Sequence, residues 1–338
     1  MNLKRIIFRT ALLMGVASVL LFTGCGLPGT EQAGSEGSAN RDILQIYTAG
    51  YYFNGKDAIA CYWITKDRTN LCAGGANSIF VYKGVILVAG FFKEDYQSNA
   101  CYWRNNYLHI LPSNGYESYA TSITYGGGNV YTAGHWQTSH ACYWKGKKRT
   151  ELSGEKATSV YVYGGVPYIA GSYLKNSQRY ACYWRGTSRT TLPGPSGYST
   201  YATSIFVYNG TVYTAGWYYN SKTRQDVACY WTGTKRTDLS GSIAHAIFVY
   251  NGTVYTAGKY YRNSRTTACY WTGRTRTTLS TPSSYVSEAK SIYVLGGKVY
   301  TSGGYGPSDY NPCYWVGTSR TNLPGGTYGM ANSIFVTN

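Results

Sequence analysis

Four residues recur along this chain at a nearly fixed interval. Ala-Cys-Tyr-Trp stands at positions 60–63, 100–103, 141–144, 181–184, 228–231 and 268–271, and a seventh copy at 312–315 has Pro first. The Cys-to-Cys steps are 40, 41, 40, 47, 40 and 44 residues. A period in the forties, with four short apolar segments in each unit, is the signature of a β-propeller blade. No single helix or strand pattern in the chain constrains the fold as strongly.

The repeat is clearest between Ser204 and Gly241. Segments 204–208, 212–217, 227–231 and 236–239 read as strands a, b, c and d, with Asn209-Gly210 between a and b. That dipeptide accepts the two positive φ angles of a type I′ hairpin turn. Asn251-Gly252, Gly127-Gly128, Gly164-Gly165 and Gly296-Gly297 occupy the same place in other repeats. Asn-Gly-Thr at 209–211 and 251–253 also matches a glycosylation acceptor, but the turn already accounts for it.

The ends decide between an open stack and a ring. The pattern begins with a strand b, residues 45–50, that has no strand a before it, and ends with a strand a, residues 333–336, that has no strand b after it. The two fragments complete one blade, and closure of this kind leaves only short, protected edges. The expectation is an all-β, seven-bladed propeller of four-stranded antiparallel blades over residues 44–338. Its C-terminal strand a joins the N-terminal strands b, c and d.

The blades read S-I-x-V-x-x-G-x-V-Y-x-A-G, then A-x-Y-W, then a short basic strand. From residue 44 to the C-terminus this resembles the β-propeller repeat family of bacterial surface lipoproteins. The resemblance implies architecture and surface placement rather than an activity.

Residues 1–10 hold Lys4, Arg5 and Arg9 and no acid; an apolar run of about 12 residues follows, and then Thr23-Gly24-Cys25. A basic start, a short apolar core and a small residue before the cut are a secretory signal. The core is too short to span ~30 Å of hydrocarbon. Residues 1–24 therefore read as a lipoprotein-type signal peptide, although Phe22 stands where Leu is usual, and Cys25 as the lipidated residue. Acylation there would anchor the chain without spanning the membrane. Residues 25–43 read as that Cys and a flexible tether, too poor in apolar side chains to bury a core. The chain is expected in the cell envelope, at the outer membrane or cell surface.

Without the signal the charge is 28 Lys and Arg minus 14 Asp and Glu, or +14. Such a surface attracts polyanions; on an exported chain the partners expected are a glycan, an anionic polysaccharide or a host or envelope protein. Nucleic acid is not expected, and the chain reads as a monomer.

The repeated residues serve the fold. Cys and Trp of strand c point to one face and Ala and Tyr to the other, and equivalent strands of neighbouring blades lie beyond the ~7 Å that a disulfide tolerates. Each Cys is expected as a small buried hydrophobe beside its Trp, and no Cys pair has metal-binding spacing. Cys72 has no equivalent in the other repeats. Arg68, Arg149, Arg189, Arg236, Arg276 and Arg320 place a basic residue on the outermost strand of six repeats, where charge guards an edge.

Broken symmetry is the better guide to a site. The residue before the strand-a Ser is Asn77, Thr121, Thr158, Thr203, His245, Lys290 and Asn332 around the ring, so His245 and Lys290 stand out. The connections between b and c carry the other candidates: His135, Trp136, Trp217, Tyr218, Tyr219, Lys259, Tyr260 and Tyr261. Variable segments on a rigid scaffold are where binding resides, and Tyr, Trp and Arg dominate hot spots. Acids on this face, among them Glu117, Asp226 and Glu288, are scattered singly. A glycosidase needs two carboxyl groups at a set separation, so the sequence reads as a non-catalytic binding or adhesion module with no cofactor and no metal. A carbohydrate-active hydrolase or lyase is the competing reading, and a structural envelope protein the third.

Overall fold

The computed structural model describes residues 44–338 except 138, 326 and 327. The signal segment, Cys25 and the tether lie outside the described residues. The a–b turns form as their composition dictates: Asn209 and Gly210 have φ of 48° and 75°, and Asn251 and Gly252 have 48° and 76°. Two consecutive positive φ values are the type I′ geometry that suits right-twisted strands.

All described regular structure is antiparallel β, with no helix among the described residues. Five sheets have four strands each; one is Thr200–Tyr208, Thr211–Asn220, Gln225–Thr232 and Lys235–Asp238 in hydrogen-bonding order. A seven-stranded sheet runs Gly329–Thr337, Gln45–Phe53, Ala58–Ile64, Asp67–Tyr82, Val85–Glu94, Gln97–Arg104 and Tyr107–Ile110. The C-terminal strand thus pairs with the first one, as expected from the complementary ends. The arrangement is propeller-like.

Two expectations about strand limits change. Strands d and a of the first and second repeats are one 16-residue strand, Asp67–Tyr82, containing Cys72. Its first part pairs with Ala58–Ile64 and its second with Val85–Glu94. Ala73 still pairs with Ile59 and Gly74 already pairs with Phe92, so no residue is left over to form a turn. Strands b and c also continue past the expected limits: Thr211–Asn220 runs three residues beyond Trp217. The candidate "loop" aromatics are therefore strand residues with alternating faces.

Every strand a carries a bulge next to its Ser, or next to Ala246 where the Ser is replaced. Register shifts fall between Ala120 and Ser122, Ala157 and Ser159, Ala202 and Ser204, and the corresponding pairs of the other repeats. The carbonyl two residues before the bulge presses on the Gly of strand b: a Cβ on Gly216 would lie 1.9 Å from the Tyr201 oxygen.

Two sets of bonds tie each strand a to the next. The Ser hydroxyl accepts from the following repeat's backbone N–H, as in Ile123 to Ser78 at 3.2 Å, Ile205 to Ser159 at 3.2 Å and Ile79 to Ser333 at 3.1 Å. The bulge residue reaches the next Ala carbonyl: Thr121 to Ala157 at 2.8 Å, Thr158 to Ala202 at 2.9 Å, Thr203 to Ala244 at 2.7 Å, Asn77 to Ala120 at 2.8 Å and Asn332 to Ala76 at 3.0 Å.

Between the sheets lies the core. Ala170, Ala181 and Leu192 of one repeat pack on Ile205, Cys229 and Trp231 of the next, so Cys and Trp meet one neighbour and Ala the other. Six of the repeated Trp are fully buried, and Trp103 is nearly so. Trp63, Trp144, Trp231 and Trp315 donate from Nε1 to a backbone carbonyl of the preceding repeat, Trp144 to Pro112 O at 3.1 Å. The guanidiniums of Arg68, Arg149 and Arg320 converge on the same oxygens as Trp63, Trp144 and Trp315; Arg149 reaches Pro112 O at 3.0 Å. They also stack on the aromatic residue two places after the strand-b Gly, Arg276 over Tyr260 at 3.7 Å and Arg320 over Tyr305 at 3.6 Å. Five of the six arginines thus staple neighbouring sheets, while Arg236 pairs with Asp238 on its own strand.

The Ala-Cys-Tyr-Trp cysteines are free and buried, and burial pushes their thiols far up. Thiolate, not thiol, is the reactive form. Under native conditions an alkylating reagent is expected to leave these seven unlabelled and to reach the half-buried Cys72 first. Mass spectrometry checks this; rapid native labelling at Cys229 or Cys269 would contradict the packing.

Candidate functional site

All seven bulge residues line one cavity of about 620 Å³. Its walls are Phe91, Tyr119, His135 and Lys156, which stand just before the strand-a bulge or just after the strand-b Gly. Farther along strand a, toward the a–b turns, six aromatic side chains form a collar. Tyr161, Phe206, Phe248, Tyr293, Phe335 and Phe80 follow one another with ring centroids 4.6–5.0 Å apart.

The ring of bulge bonds fails in one sector. Where five repeats send Thr or Asn to the next Ala carbonyl, His245 and Lys290 turn instead to Glu288. In the same sector the Ser is replaced by Ala246, so Ile292 lacks the hydroxyl that its equivalents find. Three inter-repeat hydrogen bonds, each worth ~1 kcal/mol net, are absent at adjoining positions.

Glu288 is 5% exposed, two residues before Lys290 on the strand Val286–Leu295. Its Oε1 lies 3.0 Å from Lys290 Nζ and 3.1 Å from Lys259 Nζ, and it also contacts His245 Nε2. The His245 ring meets this oxygen through Nε2 at close range, without the direction of a good hydrogen bond. Burial alone would raise the Glu288 pKa, but His245, Lys290 and Lys259 outweigh it and hold the carboxyl ionised, well below the usual range. His245 moves the other way: burial and then Lys290 favour its neutral ring against the pull of Glu288. A buried charge persists only where partners replace its water, and here three side chains do so. Gly304 makes room: a Cβ there would meet the Tyr310 Cβ at 2.8 Å and Met330 Sδ at 2.9 Å.

On the far wall, Tyr119 stacks on His135 at 5.3 Å and meets Phe91 edge-on at 5.0 Å. Glu117 accepts from the Tyr119 hydroxyl at 2.6 Å. Glu155 is taken up by a two-pronged pair with Arg179, while Lys156 beside it has no salt-bridge partner among the described residues. Burial, then Lys156, lowers the His135 pKa to about 4 against the opposing pull of Glu155 and Glu117. A depressed His pKa gives stability that is present above ~6.5, the unfolded value, and is lost as pH falls toward 4. The loss expected is on the order of 2–3 kcal/mol, and His135→Gln should remove that part of the slope. Chemical denaturation at pH 7 and pH 4.5 measures it; equal slopes in the two proteins would contradict the burial of a neutral ring.

Of the residues the sequence singles out, His245, Lys290 and Lys259 converge on one carboxylate, and His135 stands on the same cavity. Trp217 stacks on Tyr201 at 3.9 Å, away from the lining. Trp136, Tyr218 and Tyr260 face the other side of their strands beneath Arg149, Arg236 and Arg276. Their alternation with Trp217 and Lys259 sends them into the staple between sheets. Tyr219 and Tyr261 are 41% and 57% exposed near hairpin tips. Sequence reasoning missed Lys156 and the central place of Glu288, and did not rank Phe91 or Tyr119 among its candidates. The signal lay in the positions before the bulge, where Tyr119, Lys156, Tyr201, Ile243 and Glu288 occupy equivalent places.

Among the described residues no group of three or more His, Cys, Asp or Glu gathers as metal ligands. Among the described residues no helix is long and apolar enough to cross a membrane.

No protein-family profile and no curated protein sequence matches the chain. Similar solved structures include the computationally designed Ika8 protein, at 11% identity and TM-score 0.44 over 83% of this chain and 88% of that one. The Pseudomonas brassicacearum lignostilbene dioxygenase is similar at 8% identity and TM-score 0.49 over 88% of this chain and 93% of that one. The expectation that the chain is not an enzyme is corrected here, because a chain of similar fold is a dioxygenase. Likeness at that level concerns fold and transfers no chemistry.

Proposed function

We propose that the chain is a seven-bladed propeller whose channel-mouth cavity binds an anionic glycan at the cell surface. In this reading the long strand Asp67–Tyr82 serves as the outer strand of one blade and the inner strand of the next, which makes seven blades of the six sheets. The observation that carries the binding reading is the abandoned ring of bonds at His245, Ala246 and Lys290, beside a buried carboxylate that holds cations at the cavity. A fold gives up packing bonds where a site needs other groups. Lys290 has donors beyond the one aimed at Glu288, and Lys156 stands three repeats away on the facing wall. Phe91 and Tyr119 supply the aromatic faces on which sugar rings lie. The volume suits one or two sugar units, within the ~300–1,000 Å³ typical of ligand sites.

A glycan array probed with the full chain is expected to show acidic glycans retained over neutral ones, with retention falling as salt rises. Equal retention of neutral glycans, or none of any class, would contradict this reading. Anchoring through Cys25 belongs to the same proposal: Cys25→Ala should release the chain from membranes and abolish palmitate labelling.

A further inference from the structure

We propose that the cavity also carries out β-elimination on a uronate-containing glycan, with His245 as general base, Glu288 holding its ring and Lys290 meeting the substrate's carboxylate. This rests on the binding reading above and extends it to an activity.

His245 lines the cavity, and its Nε2 is closed off against Glu288 Oε1. Nε2, and not Nδ1, is the ring nitrogen shut away from solvent against Glu288. A carboxylate beside one ring nitrogen draws the ring proton there and leaves a lone pair on the other, which is how such dyads orient a base. The groups facing this ring are Glu288, Lys290 and Lys259, with Lys290 and burial keeping it neutral and ready to accept a proton. Tyr51 and Tyr310 feel the charge of Glu288, and burial lifts both hydroxyls further from ionisation, so His245 is the base at neutral pH.

The cavity lining selects among reactions on glycans. No carboxylate belongs to it; Glu288 sits behind His245 and is held ionised, and Glu155 is consumed by Arg179. Hydrolysis by a carboxyl pair, one of them protonated, has no carriers there. What the lining offers is a neutral imidazole next to an ammonium. An ammonium that neutralises a uronate carboxylate acidifies the hydrogen on the adjoining carbon, and the imidazole removes it.

The step balances without a co-reactant. The C5–H bond breaks and its proton goes to His245 Nδ1. Its electron pair forms the C4=C5 double bond as the C4–O bond to the neighbouring sugar breaks. The departing oxygen takes the proton back from the imidazolium, so base and charge return to their starting state. No water is added to either product.

The test uses the full chain and oligouronates, read by the ultraviolet absorbance of the conjugated enoate and by product mass. The expected result is an unsaturated product whose mass, added to that of its partner fragment, equals the substrate. His245→Asn should lower kcat ~10²–10⁴-fold while the Kd for the same oligouronate changes less than about threefold; its melting curve shows whether it is folded, and His245→Gln repeats the test. Lys290→Met should raise KM as well as lower kcat. Binding by the wild-type chain without unsaturated product, a product carrying added water, or full activity in a folded His245 variant would overturn elimination and leave the binding reading intact. Absence of oligouronate binding would overturn both.

Discussion

Glu288→Gln is expected to destabilise the protein by about 3–5 kcal/mol at pH 7, because it leaves Lys290 and Lys259 in a partly buried site without their countercharge. The neutral amide also loses most of its hold on His245. The effect should depend on pH in a defined sense. Glu288 has a folded pKa held below its ordinary 4.5, so its contribution is fully present above that value and drains away as the pH falls beneath it. In the variant this acid limb disappears, and the two proteins should approach each other in stability toward pH 2–3. Denaturant titrations at several pH values measure both features. A loss under 1 kcal/mol at pH 7 would show that the two ammonium groups find other partners.

The second large effect falls on the fold. Gly216→Ala places a methyl 1.9 Å from the Tyr201 carbonyl oxygen and 2.9 Å from the Trp231 ring, where neither neighbour can retreat. The bulge would have to be rebuilt, at an expected cost above ~3 kcal/mol, in the range of severe overpacking. Gly210→Ala is the control: its added methyl meets nothing within 4 Å, and only the φ of +75° resists it. That substitution should cost about 1–2 kcal/mol. Thermal unfolding of the pair separates a packing demand from a conformational one. Equal losses would remove the bulge contact as the reason for the repeated Gly.

The repeat architecture was legible because it is written many times. The Asn-Gly turns, the Ala-Cys-Tyr-Trp strand and the complementary ends each carry a local rule, and the strands follow it to within a few residues. The six strand-d arginines were legible as present but not as employed. Their stacking on Tyr260, Tyr305 and their equivalents joins a strand-d residue to one on strand b, and no spacing in one dimension announces that. The site was half legible. His245 and Lys290 break a column of Thr and Asn, and reading down that column finds them. Glu288 appears in sequence as one isolated acid among several, because its three partners come from three different strands. Lys156 was hidden for a related reason: position before the bulge matters only once the bulges are known to ring a common cavity. Trp136, Tyr218 and Tyr260 show the converse error. Aromatic content near a turn drew attention to them, while strand alternation had already assigned them to the interior.

The central claim is that this cavity takes an anionic glycan, and equilibrium titration calorimetry of the full chain with an oligouronate tests it most directly. The account predicts one ligand per chain, weakened at least tenfold by Lys156→Met together with Lys290→Met and unchanged by Tyr261→Ala at the exposed hairpin tip. Binding that survives the double Lys substitution, or that is lost with Tyr261, would contradict it.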